Sequence, residues 1–331
     1  MKVAIAGATG AVGIEILTLL EERNFPVTEL ILLASKRSVG KTLTFKGKEI
    51  SVTELTHDAF EGVDYAFFSA GGERSLEFCP SAAKAGAVVI DNSSAFRMDE
   101  DTPLVVPEVN PEASRTHKGI IANPNCTTIQ MLVALKPLHD FSTITKVHVA
   151  TYQSVSGSGA AALTELENQA KEFAEGKKPT VEVYPAQILF NVIPQVDVFL
   201  ENGYTKEEMK MVNETKKILG SPDILVSATC VRVPVQRAHS EAIWIETKEK
   251  ISVEKAKELF SAAPNLTVID EHQPGGYPMP LNAIRTTETF VGRIREDLTN
   301  DKGLAFWVVA DQLYKGAALN AIQIAEDLIN N

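Results

Sequence analysis

Short apolar runs alternate with amphipathic stretches through residues 1–125. Val3–Ala6, Leu30–Ala34, Tyr65–Ala70, Val88–Asp91, Leu104–Val106 and Ile120–Ala122 have the length of strands and are apolar nearly throughout. Ile14–Arg23 repeats its large apolar side chains at Ile14, Leu17 and Leu20, one face of a helix, and a second helix is expected around Arg74–Ala85. Strands that are apolar on both faces are those covered by helices on both sides, so the pattern predicts a doubly wound parallel sheet.

The pattern changes after that point. Lys146–Tyr152, Ile224–Val235, Glu241–Glu246, Phe290–Ile294 and Leu304–Val309 predict longer strands, and Arg293–Phe306 has the form of a hairpin. Helices are expected at Ala160–Glu175, Thr205–Leu219 and Val253–Ala262. The middle one opens with Thr205 and Glu208, the spacing at which two side chains cap each other's backbone N–H groups. Residues 126–311 therefore form an α+β domain with a mostly antiparallel sheet. Gln312–Asn330 reads as an amphipathic helix that returns to the first domain, so residues 312–331 are grouped with 1–125.

A length of 331 residues suits two domains of ordinary size, and 44% hydrophobic with 23% charged residues is the mix of a globular protein. No apolar stretch approaches the roughly 20 residues of a membrane span. The N-terminal apolar run meets a glycine too early to serve as a secretory leader, which places the chain in the cytoplasm. A net charge of −11 argues against nucleic acid and anionic membranes as partners. A few cations gathered in one cleft can still hold a small anion. Cys79, Cys126 and Cys230 are too few and too scattered for a disulfide framework or a metal site.

Gly7-Ala8-Thr9-Gly10-Ala11-Val12-Gly13 joins the first strand to the first helix. Glycines three apart permit a tight turn, let a pyrophosphate approach the backbone and point a helix N-terminus at its charge. A plain glycine-rich turn is the alternative, and the flanking strand and helix favour a Rossmann-type dinucleotide site. The second strand ends in Ala34-Ser35-Lys36-Arg37-Ser38, with no carboxylate to meet a ribose 2′-hydroxyl. Arg37 with the Ser38 hydroxyl suits a 2′-phosphate, and hence NADP.

Asn123-Pro124-Asn125-Cys126 leads into the apolar helical run Ile129–Leu138. Pro124 disfavours helix before it, Asn125 is a good cap, and Cys126 would lie where free N–H groups favour a thiolate. The same groups could hold an oxyanion formed when sulfur attacks a carbonyl. Taken alone, a cysteine in this setting is more often a packing residue, the reading that suits Cys230 and Cys79. A nucleophile needs a partner base, and His239, in a polar stretch with Arg232 and Arg237, is the best placed of six histidines.

Together these motifs resemble the aspartate-semialdehyde dehydrogenases over nearly the whole chain. The matching stretches are Gly7–Gly13, Asp91–Arg97, Asn123–Thr128, Gln153 with Ser156-Gly157, Glu207–Lys210, Arg232–His239 and Lys315–Ala318. The resemblance implies a Rossmann-type domain followed by a catalytic and dimerisation domain, in a homodimer. It implies the NADP-dependent, reversible conversion of aspartate 4-semialdehyde and inorganic phosphate to 4-aspartyl phosphate. That reaction serves biosynthesis of lysine, threonine, methionine, isoleucine and diaminopimelate. Cys126 is implied to form the acyl-enzyme, His239 to move protons and Gln153 to orient the reacting groups and substrate. Arg232 is implied to hold the substrate carboxylate and Glu207 its ammonium, with Arg97 and Lys210 on the phosphate. Gly7, Thr9, Gly10, Ala11, Val12, Gly13, Arg37, Ser38, Ser156, Gly157 and Gln312 are implied to contact NADP. Two positions depart from the usual pattern: Thr127 stands where serine is common, and Gln312 where asparagine is. The rival readings are an N-acetylglutamyl-phosphate reductase, a non-catalytic NADP-binding redox sensor and a thiol hydrolase. Glu207 argues against the first, because an acylated amine carries no charge for a carboxylate to meet.

Overall fold

Lys2–Ala6 (β1) lies at the centre of a seven-stranded sheet in the computed structural model, which describes residues 1–330. The other strands are Glu29–Ala34 (β2), Thr42–Phe45 (β3), Lys48–Glu54 (β4), Tyr65–Phe68 (β5), Val88–Asp91 (β6) and Ile120–Ala122 (β7). Their order is β3-β4-β2-β1-β5-β6-β7, parallel except for β3 on the edge. β1 pairs with β2 on one side and β5 on the other, so the winding reverses direction at β1. Ligands of such sheets bind beyond the carboxyl ends of the strands at this switch point.

Two details of this sheet differ from the pattern reading. The hairpin β3–β4 was not anticipated; it turns through Lys46 and Gly47, both with positive φ (48° and 74°), which bends the chain tightly enough for Phe45 to pair with Lys48. Leu104–Val106 is buried yet forms only a single bridge, Leu104 with Ala122. Pro103 and Pro107 bracket it without N–H groups, and the Asn110 amide takes the place of a strand neighbour. It accepts from the Val106 N–H at 2.9 Å and donates to the Leu104 carbonyl at 2.9 Å.

Residues 1–125, 217–219 and 316–330 form one compact unit; 126–216 and 220–315 form the other. In the first unit, helices Ala11–Glu22 (α1) and Gly72–Lys84 (α2) pack on the sheet, and a C-terminal helix, Leu319–Asn330, packs beside α1. Arg23 grips Glu326 with two hydrogen bonds, at 2.8 and 2.6 Å. The C-terminal helix starts later than its sequence pattern predicts. Asp311 Oδ1 accepts from the N–H of Leu313, closing a local turn, and a wide π-helical turn at Tyr314–Ala318 precedes regular helix.

The second unit contains helix Cys126–Phe141 (α3) and strands Ile144–Gln153 (β8), Leu225–Arg232 (β9), His239–Thr247 (β10), Leu266–Val268 (β11), Thr289–Glu296 (β12) and Gly303–Ala310 (β13). The sheet order is β11-β12-β13-β10-β8-β9. The four central strands are antiparallel, and the outer pairs β8–β9 and β11–β12 are parallel. α3 is buried on nearly every side and lies against β8, β10, β12 and β13. Helices Ala160–Ala174 (α4), Lys206–Leu219 (α5), Val253–Ala262 (α6) and the single turn Pro280–Ala283 (α7) complete the chain. α5 carries the expected reciprocal cap: Thr205 N–H donates to Glu208 Oε2 at 2.7 Å, and Glu208 N–H to Thr205 Oγ1 at 3.3 Å.

Candidate active site

The glycine turn sits at the carboxyl end of β1, at the switch point. Gly7 has φ +88°, and a Cβ there would meet the Ser69 carbonyl oxygen at 2.2 Å; one at Gly13 would meet the Gly7 oxygen at 2.3 Å. Both glycines are therefore required by backbone approaching backbone. α1 starts immediately after Gly10, with no side-chain cap and no acidic residue in its first turn, so its N–H groups are presented to an anion. Lys36–Ser38 forms a short helical turn beyond β2, and Thr9 Oγ1 donates to Ser38 Oγ at 3.2 Å. Glycines where a Cβ has no room, a bare helix end and a cation in place of an acid together fit a phosphorylated dinucleotide.

At the end of β6 a polar network fixes Arg97, which is 7% exposed. Asp91 accepts from the hydroxyls of Ser75 and Ser93 at 2.7 and 2.6 Å. Arg97 donates from Nε to the Asn123 carbonyl and from Nη2 to the Asn92 carbonyl, both at 2.9 Å. Asn123 in turn donates to Asn92 Oδ1 at 3.0 Å and accepts from Asn320 at 2.7 Å. The guanidinium plane is thus set in part by backbone carbonyls.

In the second unit Cys126 is the first residue of α3 and is partly exposed, whereas Cys79 and Cys230 are buried. Burial pushes the thiols of Cys79 and Cys230 well up, away from ionisation. Of the three, only Cys126 lies at a helix N-terminus with access to solvent.

His239 opens β10 and is wholly buried, not part of a solvated loop as its polar neighbours suggested. Its Nδ1 accepts from the backbone N–H of Ser154 at 3.0 Å, which puts the proton of the neutral ring on Nε2. Ser154 Oγ also lies 3.0 Å from Nδ1. Nε2 has no hydrogen-bond partner among the described residues. A Cβ at Gly157 would come within 3.0 Å of His239 Nε2 and of Arg232 Nη1, so the glycine keeps this edge clear. Burial and the Arg232 cation depress His239 to about 3.

Arg232, 5% exposed, donates from Nη1 to the Ser154 carbonyl at 2.7 Å. Gln153 donates to Glu207 at 3.0 Å, and Glu207 meets Lys210 at 2.8 Å, an i,i+3 pair on α5. Lys210 is also paired with Asp197 at 2.9 Å. Burial lowers the Lys210 pKa, but the two carboxylates outweigh it and the net shift is upward. Apart from Arg232, the cluster holds two carboxylates and one ammonium, a net negative spot beside a guanidinium. Arg237 turns elsewhere, to Asp311 at 2.7 Å and over the Tyr314 ring.

Residues 2–117 match the family described as semialdehyde dehydrogenase, NAD binding domain, and 135–315 that described as semialdehyde dehydrogenase, dimerisation domain. The chain is 58% identical to an aspartate-semialdehyde dehydrogenase of Aquifex aeolicus, over 99% of this chain and 98% of that protein. The chain belongs to the aspartate-semialdehyde dehydrogenase family. A crystal structure of aspartate semialdehyde dehydrogenase II from Vibrio cholerae, complexed with ASA, superimposes with a TM-score of 0.97 at 49% identity, covering 100% of this chain and 98% of that one. A Candida albicans aspartate semialdehyde dehydrogenase with NADP is 28% identical, covering 99% and 98%, with a TM-score of 0.77. The expected architecture, a parallel dinucleotide-binding sheet followed by a mostly antiparallel second domain, is the family's.

For an aspartate-semialdehyde dehydrogenase, the second unit brings together Gln153, Gly157, Glu207, Lys210, Arg232 and His239. Gln312 is also in this unit and 2% exposed, but its amide is engaged by protein at both ends: Oε1 accepts from Ala238 N–H at 2.8 Å, and Nε2 donates to Ser156 Oγ at 2.7 Å. Sequence reasoning passed over Ser154, Asp197 and Asp311. Ser154 acts partly through its backbone N–H, which no residue type reveals. The acids lie 13 and 74 residues from the cations they meet, too far for a local motif.

Proposed function

We propose that this chain interconverts L-aspartate 4-semialdehyde plus inorganic phosphate and L-4-aspartyl phosphate with NADP, through a thioester on Cys126. The observation that carries this reading is the buried His239–Ser154–Arg232 arrangement beside Gln153 and Glu207, in the unit whose α3 begins with Cys126. A substrate with one carboxylate and one ammonium needs a guanidinium fork and an anionic spot close together, which Arg232 and the Glu207 cluster supply.

In the oxidising direction the Cys126 thiolate, favoured by the first turn of α3, attacks the aldehyde carbon, and the carbonyl oxygen becomes negative. Neutral His239 presents Nε2–H to that oxygen, and Gln153 orients the substrate. The substrate carboxylate on Arg232 offsets the cation that depresses the ring, so His239 becomes a better proton carrier when the site is filled. NADP, when bound, supplies the chemistry of accepting and returning the hydride. The Gly7–Gly13 turn with Thr9, Gly10, Ala11 and Val12 would hold its pyrophosphate. Arg37 and Ser38 would hold its 2′-phosphate, and Ser156 with Gly157 would contact its nicotinamide half. Phosphate, bound by Arg97 and Lys210, then attacks the thioester carbon; the acyl phosphate leaves and the thiolate is restored.

We place the enzyme in the cytoplasm, as a homodimer. Among the described residues no helix is long and apolar enough to cross a membrane. The face of the second sheet away from α3 exposes Tyr152 against Trp307, ring centres 5.3 Å apart, next to a pocket of about 290 Å³ lined by Tyr277, Met279 and Trp307. Such a face suits a second copy of the chain.

The test is phosphate-dependent formation of NADPH from aspartate semialdehyde. Cys126→Ala should abolish it while NADP still binds. Turnover by that variant, or none by the wild type, would end the proposal. N-Acetylglutamate semialdehyde serves as the control, since it presents no charged amine to Glu207.

A further inference from the structure

Gln312 closes a ring of contacts around His239. Its Nε2 reaches Ser156 Oγ at 2.7 Å; Ser156 Oγ lies 3.3 Å from Ser154 Oγ, and Ser154 Oγ lies 3.0 Å from His239 Nδ1. His239 follows Ala238, whose N–H returns to Gln312 Oε1 at 2.8 Å. Every member is buried.

Ala238 has φ +72°, the left-handed region in which a side chain is disfavoured. Its own contacts do not explain the conformation: it packs on Ala283 and Val309, small apolar neighbours that make no demand on its backbone. The end of β13 supplies the restraint. Asp311 accepts from Arg237 Nε at 2.7 Å and Gln312 accepts from the next N–H, so two consecutive residues hold the two that precede the histidine. Strained backbone persists where its surroundings over-determine it, most often beside reacting groups.

We infer that Gln312 is a positioning residue for His239, holding Ala238 in its left-handed conformation and the Ser154–Ser156 turn in register with the ring. This inference rests on the reaction proposed above. It assigns Gln312 a task inside the protein in addition to, or in place of, the cofactor contact that the family resemblance implies. Its amide is the right length: Oε1 and Nε2 serve two backbone segments at once, and a shorter asparagine on the same backbone would have to give up one or draw the turn inward.

The experiment is a double-mutant cycle with Gln312→Ala and Ala238→Gly. Gln312→Ala should lower kcat by about tenfold or more while the Kd for NADP, measured by titration, moves less than about twofold. Glycine is at ease at φ +72°, so adding Ala238→Gly should recover a good part of the lost kcat. The cofactor-free protein gives a second reading: Ala238→Gly should raise Tm more in the wild type, where Gln312 keeps the strain in place, than in the Gln312→Ala background, where the backbone is free to relax. A weakened Kd for NADP with kcat intact, or additive effects on both kcat and Tm, would overturn the inference. Failure of the reaction itself is distinguishable, because then the wild type forms no NADPH while the coupling in Tm remains measurable.

Discussion

His239 shows how far one side chain's chemistry is set by its surroundings. A solvated imidazole titrates near neutrality; this ring, buried beside the Arg232 guanidinium, is held to about 3. Between that value and the ordinary 6.5 the unfolded chain binds a proton that the folded chain refuses. The neutral ring's contribution to stability is thus complete above pH 6.5 and is lost as pH falls toward 3. His239→Asn removes this term, so the variant should lose less Tm than the wild type between about pH 7.5 and about pH 5. Equal losses would mean that the ring is solvated. The same variant should slow turnover by about 10²-fold or more, the usual cost of removing a positioned proton carrier. The histidine was legible in the sequence as a candidate from its cationic neighbours. Its burial was not, because β10 begins at the histidine itself and the polar run before it disguises the strand. Arg237, half of that signal, belongs to Asp311 instead.

At the scale of elements, legibility followed the range of the cause. The capping box of α5 involves residues three apart and was readable; so were the glycine turn and the start of α3. The β3–β4 hairpin was not, because Lys46-Gly47 lacks the asparagine or aspartate that usually marks so tight a turn. Leu104–Val106 misled for the opposite reason, being apolar enough for a strand but deprived of ladder partners by two prolines. The α5 cap also matters to the site, since this helix carries Glu207 and Lys210, and Glu208 reaches across to accept the Cys230 N–H at 2.9 Å. Thr205→Ala should cost ~1 kcal/mol and lower Tm by about 2 °C, with little change in kcat. An unchanged Tm would show that the cap contributes nothing in this buried setting.

At the scale of the whole molecule, the sequence divides its labour. The first unit supplies a parallel sheet whose switch point presents a bare helix end, and the second supplies a buried cluster of opposite charges and a helix that begins with cysteine. The net charge of −11 does not oppose an anionic substrate, because Arg97 and Arg232 are buried cations whose guanidinium groups are oriented by backbone carbonyls. The central claim is the thioester. Aspartyl phosphate added without NADPH should acylate the enzyme and release phosphate, leaving an aspartyl group that awaits reduction. Rapid acid quench, digestion and mass spectrometry should find that group on the peptide containing Cys126, and nowhere in Cys126→Ala. An active enzyme whose acyl group sits on another residue, or that never carries one, would contradict the account.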